Sequence, residues 1–354
     1  MSDLSAPFPW FGGKRQVAGL VWARFGQVRN YVEPFAGSLA VLLGRPSPWQ
    51  GTETVNDRDG FIANFWRALQ ADPEGVAAAA DYPVNECDQH ARHVWLVQQR
   101  PTLTARLEGS PDYYDVQIAG WWVWGICCWI GAGWCSGDGP WQVDDDGRLV
   151  HLGDAGRGVH RQLVHLGNAG QGVHRQLVHL GDAGQGVHRQ RVHLGNAGRG
   201  GSGLVAWMMA LAERLRRVRV CCGDWTRVCG PTPTVMQGLT AVLLDPPYAD
   251  ASRTSDLYAV DDSGSVAAAV RTWAIEHGRD ARLRIALCGY AGDHAMPSDW
   301  TAVPWKAHGG YGSQGNGSGR ANAEREVVWF SPHCLTRRRE AIQDTLALST
   351  EETT

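Results

Sequence analysis

The chain has 354 residues, of which 44% are hydrophobic and 19% charged, and its formal net charge is −3. This composition excludes an intrinsically disordered chain, and the length allows one elaborated domain or two. A net charge of −3 gives no overall attraction to nucleic acid, so a nucleic-acid partner would have to bind a local basic region.

The nine cysteines are odd in number and form no paired CxxC motifs. This pattern argues against a disulfide framework and a structural zinc site and favours reduced thiols, so we expect no bound metal. The N-terminus MSDLSAPFPW lacks the layout of a signal peptide, which predicts a cytoplasmic protein. The apolar run at 121–134 is too short to span a bilayer and predicts a buried helix, with no membrane partner.

Strand and helix patterns alternate along two parts of the chain. The predicted strands are 31–33, 52–56, 217–222, 241–244, 284–288 and 326–330, and the predicted helices are 16–25, 38–43, 60–69 and 204–215. Strands that alternate with helices predict an α/β fold with a doubly wound, mostly parallel sheet.

A 14-residue repeat begins at Leu149, in which LVHLGDAGRGVHRQ is followed by two near copies and a fourth that decays into Gly and Ser. Residues 147–203 contain seven Arg and seven His but only two Asp. We interpret Arg161, Arg175 and Arg189, which lie on Gly-rich turns, as contacts to phosphate groups. The equally weighted alternative is a tolerated expansion in a surface loop. The histidine spacing follows from the repeat itself, so metal binding is the weaker interpretation.

The strand at 241–244 runs directly into the sequence DPPY, Asp245 to Tyr248. Two prolines must end a central strand, because proline cannot donate to a sheet. An acid and an aromatic ring then lie at the carboxyl end of a strand, where open α/β sheets bind ligands. The alternative from these residues alone is a Pro-Pro turn that Asp245 caps.

Three further stretches have the residues of a ligand site. In VEPFAGS, Glu33 ends a strand, Gly37 allows close backbone approach, and a helix that starts at Ser38 would offer free N–H groups. In NDRD, Asp57 is placed to accept hydrogen bonds from a ribose, whereas Asp59 fits a helix N-cap. PWFGGK brings aromatic rings and a lysine next to a helix start, but it lacks the pattern of a P-loop.

The order PWFGGK, VEPFAGS, NDRD, DPPY resembles the D12 class of S-adenosylmethionine-dependent DNA adenine-N6 methyltransferases, the Dam-like family. The stretch EVVWFSP near the C-terminus is similar to the last strand of that family. The resemblance covers roughly residues 7–70 and 215–335 and leaves out the repeat. It implies a Rossmann-like methyltransferase sheet built from 1–70 (methyl-donor binding) and 205–335, an inserted target-recognition region at 71–204 and a tail at 336–354.

The resemblance also implies roles for individual residues. Those implied to bind the donor S-adenosylmethionine are Trp10, Lys14, Glu33, Phe35, Gly37, Asp57, Asp224 and Asp245. Those implied to be catalytic are Asp245, Pro246, Pro247 and Tyr248. The implied partner is double-stranded DNA, acted on by a monomer or weak dimer in a bacterium or a phage-infected cell, without a metal.

The chemistry of an exocyclic amine explains why DPPY suits this reaction. The N6 lone pair of adenine is delocalised into the ring, so the amine is a poor nucleophile. The Asp245 carboxylate and the Pro246 carbonyl would each accept one N6 hydrogen, and the prolines would hold these acceptors rigidly. Tyr248 would stack on a base that is flipped out of the duplex.

Two alternatives stay open. A cytosine-N4 methyltransferase uses the same amine chemistry, although such enzymes more often have Ser at the position of Asp245. A catalytically idle DNA-binding protein would rely on the repeat alone. The stretch 129–134 lacks the Asn that opens the DNA-reading region in the family, so the resemblance assigns no target sequence.

Overall fold

A computed structural model describes residues 4–10, 14–47, 51–129, 134–135, 141–143, 149–151, 201–247, 263–305 and 325–336. The α-helices of these residues are α1 Arg15–Phe25, α2 Ala40–Leu43, α3 Gly60–Ala71, α4 Pro73–Ala80, α5 Glu86–Gly109, α6 Val116–Cys128, α7 Gly201–Leu215 and α8 Ser263–His277. The strands are β1 Asn30–Glu33, β2 Thr52–Asp57, β3 Trp141–Val143, β4 Leu149–His151, β5 Val218–Cys222, β6 Thr240–Leu244, β7 Leu283–Tyr290, β8 Thr301–Pro304 and β9 Glu326–Phe330.

Seven strands form one sheet in the order β5-β2-β1-β6-β7-β9-β8. The first five strands of that order are parallel, and β9 runs antiparallel to both β7 and β8. Val32 on β1 lies opposite Thr54 on β2 and Val242 on β6. The predicted α/β fold with a mostly parallel sheet is therefore confirmed. The chain leaves β1 toward β2 on one side and returns through β6 on the other, so the sheet has its topological switch point between β1 and β6.

Side chains that alternate along the strands enter two separate hydrophobic clusters, one on each face of the sheet. Tyr31 packs among residues of α1, α2 and α3, whereas its neighbour Val32 packs on the opposite face with Val270 and Ala274 of α8. The sheet thus has helices on both faces, and every residue of its central strands β1 and β6 is buried because both sides are covered.

The helices between β2 and β5 pack on α3 and through it on the sheet. Arg67 of α3 donates to the carbonyl oxygens of Val220 on β5 (2.9 Å) and of Leu107 on α5 (3.1 Å). Asn64 donates to the carbonyl oxygen of Asp115 (2.8 Å) and accepts from its N–H (2.7 Å), which fixes the start of α6. These buried polar contacts satisfy backbone groups that would otherwise be costly inside the protein.

The helix predicted at 121–134 ends earlier than expected. α6 begins at Val116, where Asp115 caps it by accepting from the N–H of Ile118 (2.8 Å), and it ends at Cys128. Trp134 folds back on α6 and donates from its indole to the carbonyl oxygen of Trp122 (3.1 Å). Trp134 therefore lies outside the helix, so the prediction of one helix through Trp134 is wrong.

The helix predicted at 38–43 is also shorter than expected. Gly37 and Leu39 both have positive φ, +46° and +54°, and α2 begins only at Ala40. The two residues turn the chain after β1 in place of a first helical turn. The expected helix N-terminus at Ser38 is therefore wrong, and a four-residue helix is no basis for an anion site.

Most of the 14-residue repeat lies outside the described residues. Its first three residues form β4, which pairs antiparallel with β3. Among the residues that the structure describes, no helix is both long and apolar enough to cross a membrane.

Candidate active site

The carboxyl ends of four parallel strands bring four acidic residues to one edge of the sheet. In spatial order they are Asp224 after β5, Asp57 at the end of β2, Glu33 at the end of β1 and Asp245 after β6. Glu33 and Asp245 lie on either side of the switch point, where open α/β sheets bind their ligands. The sheet thus brings together acids from motifs that are far apart in the sequence.

Asp245 forms an ion pair with a buried lysine. The Nζ of Lys14 is 3.1 Å from Oδ1 of Asp245 and 3.8 Å from Oε2 of Glu326. The side chain of Lys14 is only 5% exposed, whereas that of Asp245 is 25% exposed. Burial opposes the charge of Lys14, but the carboxylates of Asp245 and Glu326 raise its pKa above the ordinary value. Lys14 therefore stays charged, and one oxygen of Asp245 is occupied by it.

Glu33 is buried and accepts a hydrogen bond from the Tyr31 hydroxyl (2.9 Å) on the same face of β1. Burial raises the pKa of Glu33 to about 8, and the charge of Asp245 adds to this rise. Since the ordinary value for glutamate is near 4.5, Glu33 holds its proton at neutral pH. The site consequently places a neutral Glu33 on the strand next to Asp245, which is paired with Lys14.

Gly37 connects two of the motifs. Its N–H donates to Oδ2 of Asp57 (3.0 Å), and its carbonyl oxygen accepts from the indole of Trp66 (2.9 Å). A Cβ on Gly37 would collide with the indole of Trp10, and its φ of +46° favours glycine. The turn after β1 is thus shaped by a glycine against which Trp10 packs.

Asp57 accepts backbone hydrogen bonds with both oxygens, from the N–H of Gly37 and from the N–H of Asp59 (2.9 Å). Burial raises its pKa to about 7. A carboxylate has about four acceptor positions, so Asp57 keeps capacity for a ligand hydroxyl. Asp59 caps α3 by accepting from the N–H of Phe61 (2.9 Å), which confirms the predicted N-cap.

The side-chain amide of Asn56 hydrogen-bonds to the loops that follow the two neighbouring strands. Its Nδ2 donates to the carbonyl oxygen of Pro34 after β1 (3.1 Å) and to that of Gly223 after β5 (3.0 Å). Its backbone oxygen accepts from the N–H of Ala36 (2.9 Å). The loops on both sides of β2 are therefore held in one arrangement.

Two aromatic rings face each other near the end of β5. Phe35 and Trp225 are stacked with centroids 6.5 Å apart and an interplanar angle of 28°. The exposed Asp224 caps the short 3₁₀ helix Trp225–Val228 by accepting from the N–H of Thr226 (3.0 Å). Its carboxylate thus fixes the position of the Trp225 ring.

Four of the predicted site residues lie outside the residues that the structure describes. Pro246 and Pro247 follow Asp245 and are described, with Pro246 buried. Tyr248, Arg161, Arg175 and Arg189 are outside the described residues. Within the described ranges, no group of three or more His, Cys, Asp or Glu is arranged to hold a metal ion.

Sequence reasoning missed three residues of this edge: Glu326, Asn56 and Trp225. Glu326 enters the site because β9 is antiparallel, so its first residue lies beside Tyr290 at the end of β7. The available signal was an isolated acid at the start of an otherwise apolar strand. Asn56 and Trp225 each lie next to a predicted residue, and only the tertiary contacts distinguish them.

Residues 10–98 match the family model of the D12 class N6 adenine-specific DNA methyltransferases. The matched range includes PWFGGK from Trp10 onward, the VEPFAGS and NDRD stretches, and β1 and β2. No match was found among curated proteins. The seven-stranded, mostly parallel sheet also fits a Rossmann-like methyltransferase. The match covers about a quarter of the chain, and over those residues it supports the resemblance to the adenine-specific DNA methyltransferases of the D12 class.

Proposed function

We propose that this protein transfers a methyl group from S-adenosylmethionine to the N6 amine of an adenine that is flipped out of duplex DNA at a specific site. The observation that carries the proposal is the position of Asp245. It follows a central parallel strand at the switch point, one of its oxygens is held by Lys14, and it stays partly exposed. An acceptor that is fixed in place and accessible is what the reacting amine requires.

The residues around Glu33 and Asp57 fit the methyl donor. Asp57 has acceptor capacity for ribose hydroxyls after its two backbone hydrogen bonds. Phe35 is partly exposed and stacks on the buried Trp225, so its ring offers aromatic surface for an adenine ring. We assign Trp10, Glu33 and Gly37 to the methionine side, and Asp224 to the outer end of the pocket. When bound, S-adenosylmethionine supplies an electrophilic methyl group on a sulfonium.

The chain's own residues act on the amine. Lys14 neutralises and orients the Asp245 carboxylate through Oδ1, which leaves Oδ2 to accept one N6 hydrogen. The Pro246 carbonyl accepts the second, and the fixed φ of Pro246 and Pro247 limits movement of both acceptors. These two hydrogen bonds localise the nitrogen lone pair toward the donor side. Tyr248 stacks on the flipped base and limits its rotation.

A cytosine-N4 methyltransferase would place the same acceptors around a smaller base. The family match favours adenine. A catalytically idle DNA-binding protein would not need Asp245 to be paired and partly exposed. Donor binding measured by calorimetry separates this alternative, because an idle protein without a donor pocket would release no heat with S-adenosylmethionine.

The decisive experiment replaces Asp245. We expect Asp245→Asn to lower methyl transfer to duplex DNA by on the order of 2–4 kcal/mol of transition-state stabilisation, because a neutral amide also presents N–H groups to the amine. Donor affinity should change little. The measurement is transfer of a labelled methyl group at saturating donor, followed by identification of the methylated base.

Asp57→Asn is the matched control, since it makes the same change at the same sheet edge. We expect it chiefly to weaken donor binding, which calorimetry reports. Near-normal turnover by Asp245→Asn would refute the catalytic assignment. A change in DNA affinity alone by Asp57→Asn would refute the ribose contact.

A further inference from the structure

Glu326 contacts neither proposed reacting atom, but it lies directly behind the residue that holds Asp245. The Nζ of Lys14 is 3.8 Å from Oε2 of Glu326 and 3.1 Å from Oδ1 of Asp245. The side chains of Lys14 and Glu326 are each 5% exposed. One buried ammonium is thus shared between a carboxylate in the site and a carboxylate behind it.

The two carboxylates differ in how firmly the backbone holds them. Glu326 is the first residue of β9, which is paired with β7 on one side and with β8 on the other. Its carbonyl oxygen also accepts from the N–H of Trp305 (3.0 Å). Asp245 instead follows the last residue of β6 and is outside the ladder of that strand. Of the two carboxylates, that of Glu326 is therefore attached to the more firmly held backbone.

Two uncharged side chains, those of Trp305 and Cys288, also lie near the Lys14 ammonium. The ring of Trp305 lies 5.7 Å from Nζ, and the buried thiol of Cys288 on β7 faces it. Burial raises the pKa of Cys288 well above its ordinary value, so this thiol stays neutral. Asp245 and Glu326 are thus two described carboxylates whose charges act on Lys14 and raise its pKa.

We propose that Glu326 is a positioning residue for methyl transfer, because it anchors Lys14 on the sheet so that Lys14 fixes Oδ1 of Asp245 and leaves Oδ2 for the adenine amine. This inference rests on the proposed role of Asp245. It assigns to the first residue of an antiparallel strand a part in the reaction that neither the DPPY motif nor the donor pocket contains.

The first test is a double-mutant cycle with Glu326→Gln and Lys14→Gln. Glutamine keeps an acceptor at position 326 but removes the charge. We expect Glu326→Gln to lower kcat by between about 10-fold and 100-fold, because small misplacements of a reacting group have effects of this size. Donor affinity should stay within about twofold. In the Lys14→Gln background, Glu326→Gln should have almost no further effect, because the anchor then has nothing to hold.

The second test is the pH profile of kcat, which a purely structural role would not move. Loss of one carboxylate lowers the pKa of Lys14, so the ammonium is lost at lower pH. The pKa of Lys14 starts above its ordinary value, so the alkaline decline of kcat in Glu326→Gln should begin at a lower pH than in the unchanged protein. Glu326→Asp keeps the charge on a shorter arm and should restore most of the alkaline range.

The matched control is Glu53→Gln. Glu53 is equally buried and pairs with Arg45 (3.3 Å) and Arg214 (2.8 Å) near the opposite edge of the sheet. It should lower stability without moving the alkaline decline. Equal losses of kcat from Glu326→Gln in both backgrounds, or an unmoved pH profile, would overturn the positioning role. Full activity of Asp245→Asn would instead overturn the proposed function, so the two failures are distinguishable.

Discussion

Glu33 makes the stability of the protein depend on pH. An acid whose pKa is raised by folding keeps its proton in the native state after the unfolded chain has lost it. For Glu33 the interval runs from the ordinary value of 4.5 to about 8. The stabilisation from this residue is complete below that interval and is lost as the pH rises through it.

As the pH rises from about 5 to about 8, we expect the free energy of unfolding of Glu33→Gln to fall less than that of the unchanged protein. Glutamine is neutral at every pH and still offers an oxygen to the Tyr31 hydroxyl. Asp57 titrates in an overlapping range, since burial raises its pKa to about 7, but it is present in both proteins and cancels from the comparison. Denaturant unfolding at several pH values checks this. Parallel curves of unfolding free energy against pH would contradict the raised pKa.

The candidate residues could be read from the sequence where local order was enough. Glu33, Asp57 and Asp245 lie at or directly after the end of a predicted strand, and the carboxyl ends of parallel strands share one sheet edge. Their mutual contacts were beyond sequence reasoning. The ion pair of Lys14 joins residues on separate elements, and the entry of Glu326 depends on the antiparallel direction of β9.

At the scale of elements, α6 is held by close contacts at its glycines. A Cβ on Gly120 would collide with Ala79 of α4, and a Cβ on Gly125 would collide with the indole of Trp134. Both glycines therefore let a neighbour approach the helix axis. α6 cannot move outward on one side without losing its contact on the other.

We expect Gly120→Ala to destabilise the protein by about 1–3 kcal/mol, because the added methyl overpacks the contact between α4 and α6. Gly19→Ala is the control, since Gly19 lies in α1 with nothing within 4 Å of an added Cβ. That change should stabilise by about 0.5–1 kcal/mol. Thermal and denaturant unfolding measure both. A neutral or stabilising Gly120→Ala would show that the two helices are less closely packed.

Periodic apolar segments made most of the elements predictable. The six predicted strands agree with β1, β2, β5, β6, β7 and β9 apart from their end residues. The strand β8 was missed because it is a largely exposed edge strand that ends in Pro304, so it has no apolar alternation. The helix α5 was missed because Pro101 lies inside it and polar residues dominate its sequence. The secondary structure of such segments is set by their tertiary contacts and not by a local sequence pattern.

At the scale of the whole molecule, deleting units of the repeat tests whether its arginines contact DNA. Deletion of residues 163–190 removes two units with Arg175 and Arg189 and keeps the 14-residue phase. If these arginines contact phosphates, the slope of log affinity against log salt should fall by about 0.9 for each. Donor affinity and base preference should stay the same, because phosphate contacts position the protein without specifying sequence.

Fluorescence titrations of duplex DNA at several salt concentrations measure this slope. An unchanged slope would mean that the repeat is a passive expansion. A changed methylation motif would mean that these units read bases. Lys14 and Asp245 are unaltered by the deletion, so catalytic competence serves as the control for correct folding.

The pairing of β2 with β5 has a consequence for how this chain can evolve. The two strands are hydrogen-bonded neighbours although roughly 160 residues separate them along the chain. The helices α3 to α7 fold within that segment, so a further unit lengthens only the 49 residues between β4 and α7. The entropic cost of closing a flexible segment grows with the logarithm of its length, so one more 14-residue unit that behaves as a flexible loop adds about 0.2 kcal/mol. Slippage of the encoding DNA can therefore add or remove copies at almost no expense to the catalytic sheet. Copy number is then free to drift, or to be selected for DNA affinity, independently of the enzyme's stability.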